Sequence, residues 1–226
     1  MGGICKKRFP KEIKMLILGI EGSGKTKLLY QLKYDRNVLT IPTLGFNVEI
    51  LKIDDAKFLT FDLGRFDSGN HKEFYEKTDI VMFVVDSADD NKFYEAKLRL
   101  HNVMEDEELQ NAYLLVIANK QDLPESLNTK EISTKLSLKE INQDWSVMGA
   151  IANCIKDPKS NEISQEENLI KQIKNFLLTH ALDKFVYNKQ EHIEEEEKSP
   201  EDENDGDLID EDYDDDKYDK RYDDYK

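Results

Sequence analysis

The stretch Gly19-Ile20-Glu21-Gly22-Ser23-Gly24-Lys25-Thr26 constrains this chain more than any other. It fits the phosphate-loop pattern G-x-x-x-x-G-K-[ST]. The short apolar run Met15–Leu18 precedes it, and Leu28, Leu29 and Leu32 follow at helical spacing. A strand, a glycine loop and a helix in that order leave little room for a chance glycine turn. Gly22 and Gly24 let the backbone curl so that successive N–H groups converge on an anion. The helix behind the loop adds the positive end of its dipole. Lys25 is placed to reach the β- and γ-phosphates of a nucleotide, and the Thr26 hydroxyl to coordinate Mg²⁺. Gly19, Glu21, Ser23 and Lys27 complete the phosphate-end contacts expected of the loop.

Apolar runs and helical patterns alternate after the loop. Phe46–Ile53 and Lys57–Phe61 flank the turn signal Asp54-Asp55 and predict a hairpin. Ile80–Val85 and Tyr113–Ala118 are continuous apolar runs of the kind that form buried strands. Phe93, Ala96, Leu100 and Val103 predict a helix, as do Thr129–Leu136 and Leu169–Leu182. Strands alternating with helices predict a parallel sheet covered on both faces, with the hairpin supplying one antiparallel edge strand.

Ligands of such sheets bind outside the carboxyl ends of the strands, and three of the apolar runs end in polar motifs. Beyond the glycine loop, Lys57–Phe61 leads into Asp62-Leu63-Gly64, and Tyr113–Ala118 leads into Asn119-Lys120-Gln121-Asp122. Asp62 is placed to hold Mg²⁺ through a water, with Gly64 beside it as a further candidate nucleotide-binding residue. Guanine carries N1–H and an exocyclic amine side by side, two donors that a single carboxylate such as Asp122 accepts together. Adenine has no such pair. Lys120 can lay its aliphatic stem along the purine, while Asn119 ties this loop to the phosphate loop. The expected ligands are therefore GTP or GDP with Mg²⁺.

Charge divides the chain. Residues 191–226 hold 19 Asp or Glu against 5 Lys or Arg, a net of −14, while the whole chain carries −16. The acidity thus belongs to the tail, which is poor in aliphatic residues and reads as disordered from 185 to 226. Residues 15–184 read as one domain, and 1–14 as a basic N-terminal segment. Two cysteines, Cys5 and Cys154, do not suggest a disulfide scaffold. No apolar run approaches the roughly 18 residues that cross a bilayer. Any membrane attachment is expected to be peripheral.

Together Gly19–Thr26, Ile41–Glu49 (I-P-T-L-G-F-N-V-E), Phe61–Gly64, Phe83–Ser87 and Ala118–Asp122 resemble the ADP-ribosylation factor and factor-like family of small GTPases. The resemblance covers roughly residues 2–182. It implies the phosphate-loop nucleotidase fold, a three-layer sandwich around a mostly parallel six-stranded sheet with one antiparallel edge strand. It further implies that Thr43 caps Mg²⁺ and the γ-phosphate. The segment Phe46–Phe61 would be the one that shifts register between nucleotide states, and the Ala152 N–H would face the guanine oxygen. A monomeric switch in vesicle or ciliary trafficking, with effector proteins and an exchange factor as partners, goes with that family.

Two departures stand out. The family's second switch opens D-x-G-G-Q, whereas this chain reads Asp62-Leu63-Gly64-Arg65-Phe66. Phe66 has no group with which to orient an attacking water, so hydrolysis is expected to be slow or absent. Cys154–Glu167 is a longer polar insertion than relatives carry. That loop, the altered switch and the charged extension are similar to the ciliary factor-like branch. At the N-terminus, Gly2 fits the start of a myristoylation signal, although position 6 is Lys6 rather than Ser or Thr. One acyl chain binds membranes only marginally. Cys5 is available for palmitoylation, and Lys6, Lys7, Arg8, Lys11 and Lys14 for anionic lipid. A pseudo-GTPase scaffold that binds partners regardless of nucleotide stays open as an alternative. An ATP-using, kinase-like enzyme would share the glycine loop but has no use for Asn119–Asp122.

Overall fold

The computed structural model describes residues 12–36, 38–43, 45–64, 72–152 and 165–196. The chain divides into two units, Met1–Asn188 and Lys189–Lys226, and the sheet lies in the first. Six strands form it: β1 (Ile13–Leu18), β2 (Phe46–Ile53), β3 (Ala56–Leu63), β4 (Ile80–Asp86), β5 (Tyr113–Asn119) and β6 (Trp145–Gly149). The helices are α1 (Lys25–Tyr34), α2 (Phe93–Met104), α3 (Thr129–Lys135) and α4 (Gln165–Glu196). The strand order is β2-β3-β1-β4-β5-β6. Only β2 runs antiparallel, paired with β3 from Phe46↔Leu63 to Ile53↔Ala56.

The central strands feed two cores because their side chains alternate between faces. Leu16, Leu18, Val81, Phe83, Val85, Leu114 and Val116 pack on one side with Phe93, Leu100 and Val103 of α2 and Ile132 of α3. Met15, Ile17, Ile80, Met82, Val84, Leu115 and Ile117 pack on the other with Leu28 and Leu32 of α1 and Ile173 and Leu177 of α4. All of these are at most 5% exposed. At about 1.5–3 kcal/mol per buried aliphatic side chain, the two layers are what hold the sheet between its helices. The expected three-layer sandwich is the fold observed.

Two boundaries differ from the sequence reading. The sixth strand, Trp145–Gly149, was not located from the sequence. All five of its residues are only half-buried, so it carries no apolar run. The last helix continues to Glu196 rather than ending at Leu182. Disorder from residue 185 is thereby corrected for 185–196, whose backbone is helical; 197–226 lie outside the described residues.

Candidate functional site

β1, β3, β4 and β5 are parallel neighbours, so their carboxyl ends emerge on one edge. Connections from β1 run toward β3 on one side, and from β4 toward β5 on the other. The edge between β1 and β4 is therefore the topological switch point, where such sheets open a crevice. A cleft of about 610 Å³ lies there, and it is lined by residues from both the phosphate loop and the Asn119 loop.

The phosphate end is built on a bare helix terminus. Gly24, at φ +92°, precedes α1, and no side chain caps it. The first N–H groups of the helix thus remain available to an anion. A Cβ on Gly24 would stand 2.4 Å from Asn119 Nδ2, so the loop and Asn119 can approach only because this residue is glycine. Asn119 joins the two ends of the cleft. Its Nδ2 donates to the Ser23 carbonyl at 2.7 Å, and its Oδ1 accepts from the Ala152 N–H at 3.0 Å. One partner is an acceptor and the other a donor, which fixes the orientation of the amide. Lys25 donates to the Gly19 and Ile20 carbonyls at 2.9 and 3.1 Å. Burial lowers its pKa, opposed by the Asp62 charge.

Three oxygens converge beside the loop. Thr26 Oγ1 donates to Asp62 Oδ2 at 2.5 Å and lies 2.8 Å from Thr43 Oγ1. Asp62 is fully buried and its other oxygen, Oδ1, has no hydrogen-bond partner among the described residues. Desolvation raises its pKa, and the Thr26 bond opposes the rise only in part. A buried carboxylate with an orphan oxygen, flanked by two hydroxyls, is a hard-oxygen set that fits Mg²⁺. Gly64 locks the Thr43 segment against this cluster. Its N–H donates to the Gly45 carbonyl at 2.8 Å, and a Cβ there would meet the Thr43 carbonyl at 2.2 Å.

At the base end, Lys120 Nζ donates to Asp86 Oδ2 at 2.5 Å. Gln121 Nε2 donates to Ser87 Oγ and to the Leu127 carbonyl, both at 2.9 Å. Asp122 is exposed at the cleft wall and makes no hydrogen bond or ion pair among the described residues, which leaves both carboxylate oxygens to a ligand.

The structure thus brings the sequence-derived residues together. Glu21, Gly22, Gly24, Lys25, Thr26, Lys27, Thr43, Gly64, Asn119, Lys120, Asp122 and Ala152 line the cleft. Gly19, Ser23 and Asp62 stand behind its wall. The Ala152 N–H, assigned to a guanine oxygen, is engaged by Asn119 instead. Asp86, Ser87 and Lys92 were missed. The signal for the first two was available, since Asp86-Ser87 ends an apolar run just as Asp62 and Asn119 do. Arg65, Phe66, Gly2, Cys5 and the 154–164 part of the polar insertion lie outside the described residues.

The family model for the ADP-ribosylation factor family matches residues 2–166, well over half of the chain. The chain belongs to the ADP-ribosylation factor family. ADP-ribosylation factor-like protein 1 of Saccharomyces cerevisiae is 42% identical over 161 residues, 67% of this chain and 88% of that protein. Among solved structures, the Arl6 BBS3 small GTPase from Trypanosoma brucei with bound nucleotide analogue GppNp matches with a TM-score of 0.56. It is 21% identical, covering 73% of this chain and 98% of that one, a likeness that speaks for the fold alone. As an ADP-ribosylation-factor-like small GTPase, the chain belongs to a family of guanine-nucleotide binders, and the cleft is the candidate site.

Proposed function

We propose that this factor-like GTPase is a membrane-associated switch that holds GTP with Mg²⁺ and hydrolyses it slowly or not at all. The observation that carries this reading is the joining of the two ends of one cleft by Asn119. Lys25 and Thr26 stand at one end and Asp122 at the other, so one nucleotide can be gripped by both. Thr26, Asp62 and, in the GTP form, Thr43 hold the metal, which neutralises phosphate charge when bound. Slow turnover follows from Phe66, which stands where relatives place the water-orienting glutamine. Peripheral membrane association, with vesicle or ciliary trafficking as its setting, is supported by Gly2, Cys5 and the basic residues of the N-terminal segment. Effectors and an exchange factor are the partners such a switch requires.

The test identifies the nucleotide retained through purification and follows its hydrolysis over hours in wild type and in Phe66→Gln. Bound GTP or GDP, lost in Lys25→Ala, with faster turnover in Phe66→Gln, is the expected result. A wild type that takes up neither nucleotide ends the proposal. A pseudo-GTPase scaffold is the second reading, favoured by Arg65-Phe66 and by the closure of the Thr43 segment through the protein's own groups. Equal partner affinity in GDP- and GTP-loaded protein would select it.

A further inference from the structure

We propose that Asp86 is a positioning residue for base recognition, clamping the Lys120 ammonium so that the lysine stem forms a fixed platform for the purine. The proposal rests on the reading of Asn119–Asp122 as the base loop. Asp86 is the last residue of β4 and lies in register with Asn119, the last residue of β5. That register places its carboxylate beside the base loop on a rigid strand end. Oδ1 accepts from the Ala88 N–H at 3.1 Å, which orients the carboxylate and leaves Oδ2 for Lys120. The Asp86 side chain is 10% exposed and that of Lys120 35%, so the acid sits in the wall with the lysine lying over it.

Two further facts show why a clamp is needed. Lys120 adopts φ +66°, a left-handed conformation that non-glycine residues rarely take. A lysine stem also has four rotatable bonds, and ordering them on ligand binding carries an entropic cost that weakens that binding. Fixing the ammonium at Asp86 orders the stem before any base arrives, so that cost does not fall on the nucleotide. The two halves of base binding then separate. Asp122 reads the identity of the base, whereas the Asp86–Lys120 pair supplies a stacking surface that is indifferent to it.

This separation can be measured. Dissociation rates of GDP and IDP are compared, because the inosine base keeps N1–H and lacks the exocyclic amine. Asp86→Asn is the informative variant, since its amide oxygen can still accept from Ala88 while the charge is removed. It is expected to release GDP and IDP about tenfold faster and by equal factors, the scale of one charge-assisted hydrogen bond. Asp122→Asn should instead narrow the difference between the two nucleotides. In a Lys120→Met background, adding Asp86→Asn should change the rates less than about twofold, because the clamp no longer has an ammonium to hold. Circular dichroism of the GDP-loaded variants checks the fold, and Asp86→Ser replaces Asp86→Asn if the latter does not fold. Unchanged off-rates, a changed GDP-to-IDP ratio in Asp86→Asn, or an undiminished effect in the Lys120→Met background would each overturn the proposal. A wild type that retains GDP no better than ADP would instead sink the base-loop reading beneath it.

Discussion

Ser23 and Gly24 are adjacent in the phosphate loop, yet they answer to different physics. The Ser23 carbonyl holds Asn119, but its hydroxyl is fully buried with no partner among the described residues. An unsatisfied buried hydroxyl costs about 1–3 kcal/mol, and removing it while keeping the backbone bond relieves that cost. Ser23→Ala should therefore leave nucleotide affinity intact and match or exceed the wild-type Tm, by about 2–4 °C if 1 kcal/mol is recovered. A clear fall in Tm in differential scanning calorimetry would mean that the hydroxyl has a partner. Gly24→Ala should behave in the opposite way. Its backbone is left-handed, and its new methyl would meet Asn119 Nδ2 at 2.4 Å. The Asn119 bond to Ser23 must then lengthen or break, separating the two ends of the cleft. GDP affinity measured by titration should fall at least about tenfold, the cost of one lost buried hydrogen bond. Residues with a motif around them, such as Lys25, Thr26 and Asp122, were legible in the sequence because the ligand's chemistry dictates both type and spacing. Lys92 was not, and Asp86 was legible only as the polar end of an apolar run, with no hint of its partner. Both act on neighbouring residues rather than on the ligand, and their partners are set by strand register and by a surface turn. Lys92, for example, donates to the Glu21 carbonyl at 3.3 Å across 71 residues of chain.

At the level of elements, the β2–β3 hairpin carries an unfavourable cross-strand pair. Lys52 and Lys57 stand directly opposite one another across the ladder, and both are exposed. Like charges so placed repel, whereas an opposite pair attracts. Lys57→Glu should therefore stabilise the domain slightly, raising Tm by about 1 °C at low salt and less at high salt. An equal effect at both ionic strengths would argue against repulsion as the cause. Strands whose side chains enter both cores were plain in the sequence. Ile80–Val85 and Tyr113–Ala118 read as buried because both their faces are. The half-buried edge strand β6 offered no such run. The extension of α4 was missed for a different reason. Between Leu182 and the helix end at Glu196 half of the residues are charged, a composition that fits disorder, whereas Glu and Lys are also good helix formers.

For the whole molecule, the site and the fold are thermodynamically coupled through Asp62. Its carboxyl is buried, its pKa is raised by desolvation, and one of its oxygens has no partner. A carboxyl whose folded-state pKa lies above its unfolded value binds its proton more tightly in the folded state. That stabilisation is fully present below the unfolded pKa of about 3.9 and is lost as pH rises through the folded value. In nucleotide-free, chelator-treated protein, Tm should therefore decline as pH increases through that window. Asp62→Asn, which is neutral at every pH and keeps an acceptor for Thr26, should flatten the decline and raise Tm at neutral pH. Nucleotide and Mg²⁺ reverse the order. Bound at about 1,000 times their dissociation constant they add roughly 4 kcal/mol, about 8–16 °C in Tm for a domain of this size. Wild type should gain this increment on adding Mg²⁺ with GDP, and Asp62→Asn should gain distinctly less. If the substitution lowers the Tm of the nucleotide-free protein, or leaves the Mg²⁺ increment unchanged, the buried carboxylate is not the group through which the metal stabilises the fold. A site residue that destabilises the empty domain is on this account one through which the loaded domain is strengthened. That is the arrangement a molecule needs if its conformation is to follow its ligand.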